Sequence, residues 1–404
     1  IGIMFFLFAM ISFVTGLQNP MGVIAKAQFG ATNLMSQLGN AANFIAYAFM
    51  GLPAGFLLKG KGYKFTALTA IAIGFVGVGI SYLSGVFESF PVYLLGAFVS
   101  GFSMCMLNTV VNPLLNTLGG GGNKGNQLIQ LGGSCNSLAA TIVPVLAGYL
   151  IGEVTEKTQV ADVNLALFIA MAIFALAFVI IFLSTIPEPE LEAAAAAGEQ
   201  KKEGTLESIK GAVSHKNLVF GVIAIFLYVG IEVGIPNMAN LYMTSPDGLG
   251  MAAGVAGTLV GAYWFLMLCG RLVGGAIGAK VSSRAMMTFV SSVAIVFVLL
   301  GMFLPETMTM SLLDAQVPVG MVFFVLCGLC TSIMWGAIFN LAVEGLGKYT
   351  SIASGLFMVM VCGGGLLPLL QGFVADKAGY IVSYWVIIAA LAYTLWFALA
   401  GSRV

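Results

Sequence analysis

Residues 163–186 read VNLALFIAMAIFALAFVIIFLSTI, an apolar run without a single charged side chain. An α-helix of about 20 such residues is long enough to cross the hydrocarbon core of a bilayer. Runs of the same kind recur along the whole chain. Because a membrane span must satisfy its own backbone hydrogen bonds, these runs predict transmembrane helices rather than open sheets.

The composition agrees with a chain that lies mostly in lipid. The 404 residues are 60% hydrophobic and 8% charged, whereas soluble domains are about 25% charged because their surfaces face water. The 16 Lys and Arg are balanced by 16 Asp and Glu, so there is no basic surface for nucleic acid. We expect an all-α membrane protein whose surroundings are the lipid bilayer.

Apolar runs bounded by turn signals predict twelve transmembrane helices. They lie near residues 1–25, 33–58, 65–84, 90–118, 126–152, 163–186, 216–243, 250–278, 284–304, 315–345, 349–374 and 379–401. The polar stretch 187–215 separates six spans from six. We therefore expect an N-terminal six-helix bundle at 1–186, a cytoplasmic linker at 187–215 and a C-terminal six-helix bundle at 216–404, around a central cavity.

Basic residues predict the orientation of the spans. Placing both termini in the cytoplasm puts most Lys and Arg on the inner side, including those of 59–64, 201–202 and 280–284. Lys26, Lys157 and Lys377 remain on the outer side. Cytoplasmic loops carry an excess of Lys and Arg, so this asymmetry favours cytoplasmic termini.

The two halves of the chain repeat each other. The matching positions are Gly51 with Gly270, Gly55 with Gly274, and Asn112 with Asn340. Two parallel repeats of six helices are typical of transporters that bind a substrate near the middle of the membrane. The repeat therefore indicates a transporter rather than an enzyme.

Uncharged polar side chains within the spans predict the binding residues, because such groups are costly in hydrocarbon unless they face a cavity or another helix. Asn108 and Asn112 are four residues apart and share a helix face. Amides combine donors and acceptors that suit the hydroxyls of a sugar, although each could equally cross-link two helices. The substrate-binding candidates are Gln18, Asn19, Asn43, Asn108, Asn112, Gln130, Asn136, Tyr228, Trp335 and Asn340.

Aromatic and charged side chains extend this hypothesis. Tyr228 and Trp335 could pack on the apolar C–H face of a sugar ring, or they could simply fill space between helices. Glu232 and Arg271 lie within apolar runs, where ionisable groups are typical of ion or substrate pathways. We expect a coupling or gating role for both, with a structural ion pair as the alternative.

The cysteines and the single histidine do not indicate a metal or redox centre. All six cysteines lie in apolar runs, and His215 lies in a charged loop. The pair Cys327 and Cys330 has the spacing of a thiol motif, but no second pair accompanies it. We expect no cofactor, and the sequence does not specify a metal site.

Several segments resemble the fucose–galactose–glucose symporter family of the major facilitator superfamily. They are Leu107-Asn-Thr-Val-Val-Asn-Pro113, Gln130-Leu-Gly-Gly-Ser-Cys-Asn136, Tyr228-Val-Gly-Ile-Glu-Val233 and Ser332-Ile-Met-Trp-Gly-Ala-Ile-Phe-Asn-Leu341. The resemblance extends from span 1 to span 11. It implies uptake of a hexose-type sugar across a bacterial inner membrane, usually driven by protons, and a sugar contact at Asn136.

The chain departs from the family where protons are handled. Proton-coupled members carry an aspartate in span 1 and a glutamate in span 4, at the positions of Asn19 and Asn108. An amide does not titrate near neutral pH, so the family's proton route cannot use these two residues. Coupling could instead use a proton at Glu232 or a sodium ion on neutral oxygens.

We therefore expect a monomeric secondary transporter that imports a hexose-type sugar together with a proton or sodium ion. Uncoupled sugar facilitation is the closest alternative, because it needs no titrating group. A membrane enzyme or a non-transporting sensor is a more distant alternative, since the spans hold no cluster of catalytic residues and the linker is too short for a soluble domain.

Overall fold

A computed structural model describes residues 1–14, 33–151, 164–188, 205–244, 248–251, 253–312 and 314–403. The helices are α1 (Gly2–Val14), α2 (Asn33–Val86), α3 (Phe90–Leu118), α4 (Gly122–Ile151), α5 (Asn164–Leu183), α6 (Thr205–Val213), α7 (Lys216–Thr244), α8 (Ala253–Ile277), α9 (Ser283–Phe303), α10 (Val319–Thr331), α11 (Met334–Ala342), α12 (Thr350–Met360), α13 (Gly363–Ala378) and α14 (Tyr384–Leu399). Short 3₁₀ turns follow at Gly347–Tyr349 and Gly401–Arg403.

The prediction of an all-α membrane protein is confirmed, and each of the twelve predicted spans overlaps a helix. Within the described residues, nine helical segments are long and apolar enough to cross a membrane, with α10–α11 and α12–α13 each forming one such segment. One of them, α2, contains two predicted spans, which meet at Gly62 where φ is 87°. Glycine tolerates this conformation because it has no Cβ.

The bend in α2 is stabilised from the segment that follows α5. The carboxylate of Glu188 accepts hydrogen bonds from the backbone nitrogens of Tyr63 at 2.7 Å and Lys64 at 3.0 Å. A helical turn that starts after a break leaves its first N–H groups without helical partners. A carboxylate satisfies these donors and interacts favourably with the positive end of the helix dipole.

The chain forms two compact units that exchange segments along the sequence. Unit 1 comprises Ile1–Leu118, Cys135–Ser214 and Gly345–Met360. Unit 2 comprises Gly119–Ser134, His215–Glu344 and Val361–Val404. The first part of α4 thus belongs to unit 2, and α12 belongs to unit 1. The division into bundles at 1–186 and 216–404, with the linker 187–215, stays a prediction.

Repeated glycines allow close helix packing in both units. In unit 1, a Cβ on Gly51 would lie 2.6 Å from the backbone nitrogen of Val359, and one on Gly55 would lie 3.1 Å from the Cα of Gly355. In unit 2, a Cβ on Gly270 would lie 3.0 Å from the carbonyl oxygen of Leu329. Helices in lipid associate through such close contacts, for which small residues are needed.

The structure corrects the start of predicted span 10. Residues Thr309–Leu312 form β1 and Ala315–Pro318 form β2, which pair in an antiparallel hairpin. The helix begins only at Val319, although the apolar run predicted a start at 315. Pro318 precedes the first helical residue, and residues 315–318 are extended instead of helical because β2 pairs with β1.

Within the part of the chain that the structure describes, two predicted spans contain an interruption. Span 10 consists of α10 and α11, separated by Ser332 and Ile333, and span 11 consists of α12 and α13, separated by Val361 and Cys362. The interruption in span 10 leaves the carbonyl oxygen of Ser332 without a backbone donor among the described residues, inside an apolar region. A carbonyl group in such a region needs another donor, and Arg271, one of the predicted site residues, supplies it.

Candidate functional site

Arg271 is anchored at the interruption between α10 and α11. Its Nε donates to the carbonyl oxygen of Ser332 at 3.0 Å, and its Nη1 donates to the carbonyl oxygen of Gly133 at 3.2 Å. The fork of a guanidinium can bind several acceptors in fixed directions. Arg271 therefore joins α8, the break in span 10 and the first part of α4, all within unit 2.

Gln130 donates to the neighbouring carbonyl of the same break, that of Ile333, which also accepts from the backbone nitrogen of Ala337 at 3.1 Å. Its Nε2 donates to the carbonyl oxygen of Ile333 at 2.8 Å and to Oδ1 of Asn126 at 3.2 Å. The side chain is 2% exposed, and both of its amide hydrogens have acceptors. The structure thus places Gln130 in a contact between helices, which is the alternative to a ligand contact; its substrate-binding role stays a prediction.

Glu232 is half-buried on α7, close to Arg271. Its carboxylate interacts electrostatically with the Arg271 guanidinium and with Tyr228. Its backbone carbonyl oxygen accepts a hydrogen bond from Oη of Tyr263 at 3.1 Å, and the hydroxyls of Tyr263 and Thr331 share a hydrogen bond of 3.1 Å. These contacts fix the backbone that carries the carboxylate, and the nearby guanidinium partly compensates its charge.

Tyr228 and Trp335 lie together beside this charged pair. Their ring centroids are 6.4 Å apart and the ring planes are inclined by 53°. Tyr228 is fully buried, and its hydroxyl has no hydrogen-bond partner of normal geometry among the described residues. Buried hydroxyls are nearly always paired, so a partner supplied by a ligand would complete this group.

The amides of unit 1 form a second polar cluster, between α2 and α3. Nδ2 of Asn108 donates to Oη of Tyr47 at 3.1 Å and to the carbonyl oxygen of Met104 at 3.0 Å. Nδ2 of Asn112 donates to the carbonyl oxygen of Asn108 at 3.0 Å. Because α3 is helical throughout this segment, Asn108 and Asn112 share a face, as their spacing predicts.

Asn43 contributes an unsatisfied acceptor to unit 1. Its Oδ1 is buried and has no hydrogen-bond partner among the described residues. A Cβ on Gly101 would lie 3.1 Å from this oxygen, so the side chain of Asn43 points at α3. A free carbonyl oxygen of this kind can accept a hydroxyl of a ligand or coordinate a cation.

The remaining predicted amides connect helices or lie outside the described residues. Nδ2 of Asn136 donates to the carbonyl oxygen of Phe8 at 2.9 Å, which links α4 to α1. Asn340 accepts from the Ser283 hydroxyl at 2.7 Å and donates to the Gly122 carbonyl oxygen at 2.9 Å. Gln18 and Asn19 lie outside the described residues. A substrate contact at any of these four positions stays a prediction.

The sequence did not single out Tyr47, Tyr263, Thr331 or Ser332 as site residues. Tyr47 is the partner of Asn108, and the other three surround Glu232 and Arg271. The Ser332 carbonyl becomes an acceptor only because span 10 is interrupted, and the apolar pattern contains no signal for that interruption. The described residues contain no group of three or more His, Cys, Asp or Glu that could hold a metal ion.

Comparison with known proteins places this architecture in a family. The sequence profile of the Major Facilitator Superfamily matches residues 3–367. The glucose/galactose transporter of Brucella abortus (strain 2308) is 28% identical over 400 residues, which cover 98% of this chain and 92% of that relative. The L-fucose-proton symporter of Escherichia coli (strain K12) is 24% identical over 398 residues, covering 94% of this chain and 86% of the symporter.

A solved structure confirms the fold. The crystal structure of the E. coli fucose:proton symporter superposes with a TM-score of 0.82 at 22% identity, over 98% of this chain and 97% of the other. The expectation of a membrane transporter rather than an enzyme is confirmed by these relatives. The chain belongs to the Major Facilitator Superfamily.

Proposed function

We propose that this protein is a secondary active transporter that imports a hexose-type sugar by alternating access, coupled to a cation. The observation that carries the proposal is the similarity, over 98% of the chain, to a relative named as a glucose/galactose transporter. The polar groups of both units agree with a neutral, hydroxyl-rich substrate, since amides and hydroxyls outnumber charged groups among them.

The sugar-binding residues that the structure supports best are those with an unsatisfied polar atom. Asn43 offers a buried acceptor in unit 1, and Tyr228 offers a buried hydroxyl in unit 2. Trp335 lies against Tyr228 and can pack on the apolar face of a pyranose. Asn108 stays among the proposed binding residues; its side chain donates to the Tyr47 hydroxyl, and its backbone carbonyl accepts from Asn112.

The coupling residues in this proposal are Glu232 and Arg271. Glu232 is a carboxylate within span 7 that lies close to a cation of fixed position. Protonation of Glu232 would release its attraction to Arg271, and this is how a proton could bias the conformation of unit 2. A sodium ion bound to neutral oxygens is the second coupling ion that we consider.

The protein is proposed to lie as a monomer in the bacterial inner membrane with both termini in the cytoplasm. The distribution of Lys and Arg supports this orientation. The multi-pass membrane location itself rests on the helices described above and on the family.

Uptake of labelled sugar into proteoliposomes tests the function and the coupling. D-glucose, D-galactose and L-fucose are offered with a proton gradient, with a sodium gradient, or with neither. Accumulation above the outside concentration under one gradient identifies the coupling ion, whereas simple equilibration under every condition identifies a facilitator. Absence of transport and of counterflow for all three sugars would contradict the proposed substrate class.

Binding measurements provide an independent check of sodium coupling. The coupling free energy between two ligands is reciprocal, so a driving sodium ion must tighten sugar binding as much as sugar tightens sodium binding. Titration of the transported sugar with and without sodium measures this effect. Equal sugar affinity in both conditions excludes sodium as the driving ion.

A further inference from the structure

One end of unit 2 contains an open groove on its surface. The groove has a volume of about 820 Å³ and runs along the start of α9 and the end of α14. Its lining combines two arginines, Arg284 and Arg403, with the hydroxyl-bearing Thr288 and Ser292 and the apolar Phe289 and Leu399. None of these residues belongs to the site described above.

The arginines are positioned at the mouth of the groove. Arg284 is half-buried, and its Nε and Nη2 lie 3.4 Å and 3.3 Å from Oγ of Ser402, which fixes the guanidinium against the turn after α14. Arg403 in the same turn is exposed. The described residues that line the groove include no acidic side chain. The mouth therefore carries two positive charges without a lining carboxylate to compensate them.

The rest of the groove is shaped for hydrocarbon. Phe289 is 69% exposed and Leu399 is 50% exposed, on helices that are long and apolar enough to cross the membrane. The hydroxyls of Thr288 and Ser292 are already bonded to the carbonyl oxygens of Arg284 and Thr288. The groove is thus amphipathic along the helix axis, with charge at its end and apolar surface further along.

A second groove in unit 2 shows the contrast. It has a volume of about 540 Å³ and is lined by apolar residues that include Leu370, Val382 and Trp385. Such a surface can contact the acyl chains of any lipid, but it offers no charged group to a phosphate. Of these two grooves, the one lined by Arg284 and Arg403 is therefore suited to bind an anionic headgroup.

We propose that the groove between α9 and α14 binds an anionic phospholipid, with its phosphate between Arg284 and Arg403 and an acyl chain along Phe289 and Leu399. Guanidinium groups bind phosphate through paired, charge-assisted hydrogen bonds. Basic pockets between transmembrane helices at the cytoplasmic side are a known form of lipid recognition. A free phosphate would use the mouth but not the apolar part, and a soluble protein would not fit at membrane depth.

Lipid binding to the purified full chain tests the site. The probe is dioleoylphosphatidylglycerol added to detergent micelles, with dioleoylphosphatidylcholine as the uncharged comparison, and bound lipid is counted by native mass spectrometry. We expect preferential retention of phosphatidylglycerol. Arg284→Gln and Arg403→Gln should each weaken its retention about fivefold, the effect of one basic side chain on an anionic lipid.

Lys280→Gln is the matched control. Lys280 is exposed at the same end of unit 2 but does not line the groove, so its substitution removes one equal charge near the groove without changing its lining. Retention of phosphatidylglycerol should be unchanged in this variant. An equal loss of phosphatidylglycerol retention in all three variants would show diffuse surface attraction and would overturn the proposal. Unchanged retention in both arginine variants would overturn it as well.

The apolar part of the site is tested separately. Thr288→Trp fills the groove without changing its charge and should reduce lipid retention as strongly as the arginine variants. Glycerol 3-phosphate, which carries the phosphate without acyl chains, should fail to displace the bound lipid. Displacement by glycerol 3-phosphate, or full retention in Thr288→Trp, would show that the groove does not hold an acyl chain and would overturn the proposal.

Discussion

Glu232 carries the proposed coupling function, because its carboxylate lies within span 7 close to the Arg271 guanidinium. We expect Glu232→Gln to retain sugar exchange but to lose accumulation against a gradient, because the glutamine amide cannot take up and release a proton. Arg271 keeps its bonds to the carbonyls of Ser332 and Gly133 in the variant, so the fold should be preserved. Counterflow and gradient-driven uptake in proteoliposomes measure the two activities.

The control for this prediction is Glu344→Gln. Glu344 is exposed after α11, so removal of its charge should affect neither exchange nor accumulation. Full accumulation by Glu232→Gln would contradict a coupling role for Glu232. Loss of exchange as well as accumulation would indicate that Glu232 supports binding or structure instead.

Two buried tyrosines provide a matched pair of hydroxyl deletions. Tyr228→Phe removes a hydroxyl without a protein partner of normal geometry, whereas Tyr263→Phe removes one that bonds to Glu232 and Thr331. Loss of a satisfied buried hydrogen bond lowers the free energy of unfolding by about 1 kcal/mol, and removal of an unsatisfied group does not. The midpoint temperature of thermal unfolding should therefore be lower in Tyr263→Phe and unchanged or higher in Tyr228→Phe.

The same pair distinguishes a ligand contact from packing. If the Tyr228 hydroxyl binds sugar, Tyr228→Phe should raise the KM of counterflow about fivefold to tenfold, the equivalent of one hydrogen bond. An unchanged KM would remove Tyr228 from the sugar-binding residues. It would leave the residue as a packing partner of Trp335.

At the scale of helices, the packing of α2 against α12 depends on glycine. A Cβ on Gly51 would lie 2.6 Å from a backbone nitrogen that cannot move without its helix. We expect Gly51→Ala to destabilise the protein by about 1–3 kcal/mol, as overpacking does, and to reduce sugar uptake. The shift in thermal unfolding measures the first effect, and uptake into proteoliposomes measures the second.

Gly261→Ala in α8 is the control for the glycine variant. A Cβ at this position would meet nothing within 4 Å, and alanine has the higher helix propensity. Its stability should be unchanged or slightly raised. A loss of stability similar to that of Gly51→Ala would mean that the close approach of α2 and α12 is not the cause.

A second prediction at this scale concerns the break between α10 and α11. Gln130→Leu removes two buried hydrogen bonds, one to the carbonyl oxygen of Ile333 and one to Oδ1 of Asn126. The carbonyl oxygen of Ile333 keeps its bond from the backbone nitrogen of Ala337, but the loss of two buried hydrogen bonds should lower the free energy of unfolding by about 1–3 kcal/mol, which thermal unfolding should detect. Gln316→Leu in β2 is the control, because it removes one solvent-exposed hydrogen bond from Thr309 and should change stability little. Equal stability of the two variants would contradict the structural role of Gln130.

At the scale of the whole molecule, the orientation in the membrane can be tested directly. Both termini are expected in the cytoplasm because basic residues concentrate on that side. Green fluorescent protein fused after Val404 should be fluorescent, and alkaline phosphatase fused at the same place should be inactive. The reverse pattern would contradict the proposed topology.

The sequence by itself determined the fold class, the approximate positions of twelve spans and the set of polar residues held within them, because apolar runs of membrane length have few alternatives to a helix. It could not determine which atoms of those polar residues are satisfied. Gln130 and Asn340 bond to carbonyl groups far away in the chain, whereas Tyr228 and Asn43 retain unsatisfied atoms. Only the tertiary structure decides this, because hydrogen-bond partners depend on helix breaks and helix contacts that a local apolar pattern does not encode.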